Sequence, residues 1–253
     1  AYDIFAEQVR AAVDAGCDII LVETMADLRE AKAALLAARE NSTLPVFVTM
    51  TFGEDGRTFL GTTPAIAAEV LSSLGAQAVG LNCSLGPAEL ARAARSMASR
   101  VRCPLMAQLN AGLPHMENGE TVFDVGPEEF AHAMDPLLDA GASIVGGCCG
   151  TSPRSIELLS KEIARRGKPT PRAFKPACVL AGAQEAVVLE KGKHAVAVIG
   201  ERINPTGKKK LKAALRSGDL DYVIGEAVTQ RNSGADVLDV NVGLPELDEP
   251  AML

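Results

Sequence analysis

Three of the six cysteines stand where shared chemistry is possible. Cys83 follows a run of mostly apolar residues, between Asn82 and Ser84. Cys148 and Cys149 are adjacent, flanked by Gly146, Gly147 and Gly150. Adjacent residues of a strand point to opposite faces. Two neighbouring sulfurs can therefore face one point only if the backbone leaves strand geometry, and glycine permits that. Three thiolates around a Zn²⁺ ion leave the fourth tetrahedral position open, which is the pattern of a catalytic rather than a structural zinc. Three negative sulfurs also outweigh the charge of the ion. Such a centre polarises carbonyls poorly, but it can favour loss of the proton of an incoming thiol to solvent and hold the thiolate as a nucleophile. Two other readings stay open here: buried apolar cysteines, which are common, and a strained vicinal disulfide. Packing alone gives no reason for two cysteines inside a glycine nest. Cys17, Cys103 and Cys178 lack that context and read as ordinary buried cysteines.

The elements that would bring these sulfurs together recur along the chain. A stretch of helical period ends in glycine, and a short run of Val, Ile, Leu and Ala follows. The pairs are Phe5–Ala15 with Asp18–Thr24, Pro64–Leu74 with Gln77–Ser84, Pro127–Ala140 with Ser143–Gly150, and Asp221–Ser233 with Asp236–Gly243. Glycine just past a helix is the expected stop. Pro45–Phe52 and Pro104–Gly112 fit the same series, after helical stretches Asp27–Glu40 and Pro87–Arg100. Pro64, Pro87, Pro127 and Pro153 each suit a first helical position. Runs that are apolar throughout suit strands buried on both faces. Strand starts near 18, 45, 77, 104 and 143 recur about every 30 residues, the pitch of βα units with parallel strands. The fold class expected is α/β: a partial (β/α)₈ TIM barrel of about five βα units, followed by the first βα units of a second TIM barrel. Residues 1–166 form the first part. Residues 167–194, rich in Pro and basic residues, read as a linker with a possible short strand at Val187–Leu189. Residues 195–253 form the second part, starting with a strand at Ala195–Gly200 and a helix near Lys208–Arg216. A barrel needs eight strands, so the chain is expected to be a piece of something longer; the alternative is a compact open sheet that is complete as it stands.

Active sites of βα barrels lie at the carboxyl ends of the strands. Those ends hold Glu23, Thr24, Thr49, Thr51, Asn82, Cys83, Ser84, Gln108, Asn110, Cys148 and Cys149, nearly all the polar residues in or just past the strand runs. Polar groups gathered at one end of a buried sheet are costly unless a ligand or network satisfies them. Glu23, a carboxylate ending an otherwise apolar strand, is the candidate for pairing with a substrate ammonium. Thr51, Asn82 and Asn110 are candidates for a substrate carboxylate or for supporting the metal ligands. In the second part Asp239 and Asn241 alternate on one strand, with Glu201 and Asn204 at the end of the strand before.

Composition excludes several classes. Apolar residues are 47% and charged residues 23%, which is ordinary for a globular domain and unlike a disordered one. A net charge of −7 gives no basic face for nucleic acid. No apolar run reaches the roughly 20 residues needed to span a bilayer. Six cysteines without a secretory leader fit a reducing compartment, so a cytoplasmic location is expected.

Gly80-Leu81-Asn82-Cys83-Ser84 and Gly146-Gly147-Cys148-Cys149-Gly150-Thr151 resemble the zinc-dependent homocysteine S-methyltransferases, over about residues 1–166. The resemblance implies that Cys83, Cys148 and Cys149 bind zinc and that zinc binds the homocysteine sulfur. It also implies that the glycine-rich segment opening the family's barrel, with its first three strands, is not in this chain. Val198-Ile199-Gly200-Glu201-Arg202-Ile203-Asn204-Pro205-Thr206-Gly207 and Asp236-Val237-Leu238-Asp239-Val240-Asn241-Val242-Gly243 resemble the opening of the pterin-binding barrel of cobalamin-dependent methionine synthases. That resemblance implies methyltetrahydrofolate as methyl source and Glu201, Asn204, Asp239 and Asn241 as pterin ligands. It further implies that methylcobalamin is the immediate donor. The sequence has no Asp-x-His-x-x-Gly segment, so cobalamin would be presented by another module, in the same chain or another. The competing expectations are a zinc-binding module without turnover, a homocysteine methyltransferase with a different donor, and a stand-alone binding protein for a pterin.

Overall fold

The structure is a computed structural model and describes residues 1–83, 86–167, 174, 177–189 and 196–253. Ser84, among the strand-end candidates, lies outside the described residues, as do parts of the expected linker and Ala195. The chain forms two compact units, residues 1–176 with 181–186, and residues 177–180 with 187–253.

The first unit is built on five parallel strands: β1 (Ile20–Met25), β2 (Val46–Met50), β3 (Ala78–Asn82), β4 (Leu105–Leu109) and β7 (Ile144–Gly147). Their order is β1-β2-β3-β4-β7, each hydrogen-bonded to the next. β3 is buried at every position, and β2 and β4 at all but one. These are the continuous apolar runs expected of strands covered on both faces. β1 and β7, at the two edges, are only partly buried. Helices α1 (Tyr2–Asp14), α2 (Leu28–Asn41), α3 (Pro64–Ser73), α4 (Pro87–Ala98) and α7 (Pro153–Arg166) connect or flank them. Asp27 caps α2, its carboxylate accepting from the Arg29 and Glu30 N–H groups. Ser152 and Ser155 form a reciprocal capping box on α7. With few aromatics available, the core is made of Ala, Val, Leu and Met, with Phe52 and Phe130 as its buried rings.

Three differences from the sequence reading have local causes. The helix expected over Pro127–Ala140 is two helices, α5 (Pro127–Ala133) and α6 (Asp135–Asp139). Pro136 has no N–H to donate and its ring clashes with the preceding turn. A hairpin, β5 (Pro114–Glu117) and β6 (Glu120–Phe123), follows β4 in a stretch to which the sequence reading assigned no element. Asn118 (φ +51) and Gly119 (φ +86) make its two-residue turn, a pairing that favours left-handed backbone at both positions. Cys17 and Cys178 are exposed, not buried. Cys17 follows the positive-φ turn at Gly16 after α1, and Cys178 opens a short strand.

That strand, β8 (Cys178–Ala181), pairs with β9 (Ala186–Leu189) inside the stretch read as a linker. Residues 181–186 belong to the first unit. There Thr62 Oγ1 donates to the Ala183 carbonyl at 2.7 Å and Gln184 Nε2 to the Leu60 carbonyl at 2.8 Å.

In the second unit β10 (Ile199–Ile203) pairs in parallel with β11 (Val237–Val240). Helices α8 (Lys209–Ser217), α9 (Leu220–Asn232) and α10 (Glu249–Met252) accompany them. Leu211, Leu215, Val242 and Leu244 form its small core. The strand expected to start at Ala195 starts at Ile199. Among the described residues no helix is long and apolar enough to cross a membrane.

Candidate metal and substrate site

The three sulfurs meet. Cys83 Sγ lies 3.9 Å from Cys149 Sγ, and Cys148 Sγ lies 4.0 Å from Cys149 Sγ. All three sulfurs fall within 4.8 Å of one another, and no other group of three or more possible metal-ligating residues is this tight among the described residues. Zn–S bonds of about 2.3 Å in a tetrahedron place neighbouring sulfurs about 3.8 Å apart. The spacing fits a zinc ion, and the donor set fits its preference for thiolate.

Two backbone departures produce this arrangement. Cys83, just past β3, has φ +62, a left-handed conformation uncommon outside glycine. It turns the thiol out of the alternation of the strand while its N–H still bonds the Gln108 carbonyl at 3.2 Å. β7 ends at Gly147, and the chain turns at once. Cys148 N–H donates to the Leu109 carbonyl at 2.7 Å, and the Cys148 carbonyl accepts from Thr151 Oγ1 at 2.7 Å. Gly150 closes that turn at φ +76. A Cβ there would lie 2.3 Å from the Phe123 ring of β6, so the hairpin leaves room only for glycine. This is the glycine-assisted turn that the adjacent cysteines require. Asn110 Oδ1 accepts from the Cys149 N–H at 3.1 Å and fixes the far side of it.

The neighbouring thiols and partial burial oppose ionisation of Cys149. The hydrogen bond with Cys83, then burial, then the charges of Cys83 and Cys148 push the Cys149 thiol up to about 11. A bound dication reverses that balance, because it favours the thiolate form of every ligand.

Around the sulfurs lies a second set of polar groups. Asn82, fully buried, donates through Nδ2 to Thr24 Oγ1 at 2.6 Å and to Cys148 Sγ at 3.7 Å, and its Oδ1 accepts from the Thr24 N–H at 3.2 Å. Thr49, also fully buried, accepts from the same N–H at 3.4 Å. Glu23 is exposed at the rim, and its Oε1 accepts from Gln108 Nε2 at 2.7 Å. Gln108 was noted in the sequence only as one polar residue among many. Its link to Glu23 spans 85 residues and had no local signal. Thr51 stands just past β2, its N–H bonded to the Met25 carbonyl.

In the second unit Asp239 and Asn241 line one depression of about 670 Å³ at the end of β11. Asn241 Oδ1 accepts from the Gly243 N–H at 2.9 Å. Glu201 and Asn204 join each other, Asn204 Nδ2 donating to Glu201 Oε1 at 2.8 Å, and Lys208 Nζ donates to the Arg202 carbonyl at 2.9 Å. Glu201 and Asn204 do not line the depression that holds the other pair.

Fold and cluster together define a parallel α/β protein with a three-thiol centre at the carboxyl ends of its strands. The family model for homocysteine S-methyltransferase matches residues 1–163, and the chain belongs to that family. The methionine synthase of Mycobacterium leprae is 33% identical over 252 aligned residues, taking in 95% of this chain and 21% of the relative. The methionine synthase of Mycobacterium tuberculosis is 33% identical over 252 residues, covering 95% of this chain and 20% of the relative. The chain thus spans about a fifth of the length of the curated relatives it matches. Among solved structures, the metallated form of the homocysteine methyltransferase MmuM from Escherichia coli superposes with a TM-score of 0.52 at 22% identity, over 64% of this chain and 52% of that one. That likeness concerns the fold.

Proposed function

We propose that this chain carries the homocysteine-activating site of a methionine-forming methyltransferase. The observation that carries the reading is the meeting of three sulfurs, 65 and 66 residues apart in sequence, at the distances a zinc ion requires. Cys83, Cys148 and Cys149 would hold the zinc. When bound, it would supply the positive charge that keeps a substrate thiol as a thiolate near neutral pH.

The chain's own groups then orient the amino acid. Glu23 offers its carboxylate to the substrate ammonium, with Gln108 fixing one of its oxygens. Thr51, Asn82 and Asn110, at or just past the ends of β2, β3 and β4, serve the substrate carboxylate or the surroundings of the metal. The methyl group is proposed to come from methylcobalamin presented by another module, recharged from methyltetrahydrofolate, in the cytoplasm. In this reading residues 1–166 are the later part of a homocysteine-binding barrel, 167–194 an interdomain linker, and 195–253 the start of a pterin-binding barrel.

Titrating the zinc-loaded chain with homocysteine, with X-ray absorption at the zinc edge, tests the central claim. The expected result is one additional sulfur ligand on binding. A zinc shell unchanged by homocysteine overturns it. Glu23→Gln should keep its zinc but bind homocysteine about 10- to 100-fold more weakly, as expected for losing a hydrogen bond to a charged group worth roughly 1.5–3 kcal/mol. Unchanged calorimetric affinity would remove Glu23 from the substrate site.

Asp239 and Asn241 are proposed as pterin ligands, Asp accepting paired N–H donors and Asn offering a mixed edge. Glu201 and Asn204 assist from the end of β10. Among the described residues β10 and β11 form a two-stranded sheet at this site, and the chain should bind methyltetrahydrofolate weakly or not at all. Tight, saturable binding of tritiated folate that persists in Asp239→Ala would exclude this assignment.

A further inference from the structure

Asn82 sits between the two halves of the site, and its hydrogen bonds connect them. On one side is the turn at Glu23–Thr24. The β1–β2 register runs Val22↔Val48 and then Met25↔Met50, three steps on β1 against two on β2. One residue is therefore extra, a bulge of the kind that re-aims a side chain beside a site. Within it Thr24 has φ +58. A β-branched residue in the left-handed region is a genuine outlier and persists only where its surroundings hold it. Asn82 holds it, taking the Thr24 N–H on Oδ1 at 3.2 Å and giving a hydrogen to Thr24 Oγ1 at 2.6 Å, while Thr49 Oγ1 shares that N–H at 3.4 Å. The bulge in turn places Glu23 where its carboxylate meets Gln108 at 2.7 Å. On the other side the same Asn82 nitrogen reaches Cys148 Sγ at 3.7 Å.

An amide nitrogen has two hydrogens. Here one goes to Thr24 and one to the sulfur, with the side chain fully buried and unable to exchange either for water. Rotating the amide to follow one partner withdraws it from the other. We infer that Asn82 is a positioning residue that couples Cys148, on the metal side, to the Glu23–Thr24 turn, on the amino-group side. This rests on the reading of the site given above. It gives Asn82 no direct contact with substrate, since its donors are already engaged within the protein.

Two variants test the coupling in the full chain. Asn82→Asp has the same shape but no hydrogens on its outer atoms. Thr24 can still donate to it, whereas Cys148 would face a carboxylate oxygen. Zinc affinity, measured by competition with a chelator, should fall about 10- to 100-fold, the range for losing a partner of a metal ligand. The preference for homocysteine over 4-sulfanylbutanoate, which lacks the amino group, should shrink in the same variant. Thr24→Gly keeps the left-handed turn and its N–H but removes Oγ1. It touches no sulfur, yet through Asn82 it should shift the sulfur-to-metal charge-transfer band of the cobalt(II)-substituted chain. Asn82→Asp should move that band to longer wavelength, because a sulfur without its N–H donor is more electron-rich.

An unmoved cobalt band in Thr24→Gly overturns the coupling. So does an Asn82→Asp chain that loses zinc but keeps its full preference for the amino group. If Asn82→Asp does not fold, the Thr24→Gly spectrum decides alone. A wild-type chain with no preference for homocysteine over the amino-free thiol contradicts the substrate reading instead, and the cobalt spectra then decide the coupling by themselves.

Discussion

Cys83→Ala should lose stoichiometric zinc. Apparent binding energies of zinc sites held by protein ligands run to about 10–16 kcal/mol at neutral pH. Those structural sites share it among four protein ligands, so each is worth about 2.5–4 kcal/mol, or two to three orders of magnitude in affinity per ligand removed. The variant should come through dialysis against a mild chelator without metal, while the parent retains one zinc per chain. The backbone at Cys83 needs a control, because alanine at φ +62 is itself strained. Cys83→Gly suits that conformation better and lacks the sulfur equally. Metal loss in both variants assigns the effect to the sulfur. Cys17→Ala, changing an exposed thiol outside the cluster, should leave zinc content unchanged. Because the thiols must release protons to bind metal, zinc affinity in the parent should also weaken as pH falls. A Cys83→Ala chain that holds zinc as the parent does would break the site assignment.

The sulfurs were legible in the sequence because glycine marks the place where a strand stops being a strand. Gly146, Gly147 and Gly150 around adjacent cysteines leave little else to propose. Parallel strands at a regular spacing were legible from apolar runs with proline at one helix end and glycine at the other. The groups that hold the sulfurs in place were less so. Asn82 appeared as one polar residue at a strand end, and its bonds to Thr24 and Cys148 cross 58 and 66 residues of chain. Its partner turn depends on a bulge, which shifts register by a single residue and leaves no trace in hydrophobic period. Gln108 was overlooked as a partner of Glu23 for the same reason. The hairpin β5–β6 did carry a local signal in Asn118-Gly119, and it matters to the site because Phe123 covers Gly150. The split at Pro136 was likewise readable from proline chemistry alone.

Gly80→Ala should be the most damaging single methyl in the first unit. Gly80 lies in β3 opposite Met106 of β4, two residues before Asn82 and three before Cys83. A Cβ built there falls 2.1 Å from the Met106 carbonyl oxygen and 2.7 Å from both the carbonyl carbon and the Met106 Cβ. The neighbours are mainly backbone, so no rotamer change relieves the contact. The strands must separate, in the middle of a sheet that is buried on both faces. Overpacking usually costs about 1–3 kcal/mol. Here the loss of β3–β4 hydrogen bonds adds to it, and on the order of 4 kcal/mol is expected, near the upper limit for one substitution. Gly225→Ala supplies the contrast. It lies inside α9, a Cβ there meets nothing within 4 Å, and alanine favours the helix by about 0.5–1 kcal/mol. Urea denaturation of both variants should therefore move in opposite directions. Gly80→Ala should also lower zinc occupancy in the fraction that remains folded, since Cys83 and Asn82 hang from the strand that must shift. A Gly80→Ala protein with the stability of the parent would mean that β3 and β4 do not approach as closely as this register requires, and the convergence of Cys83 with Cys148 and Cys149 would lose its support.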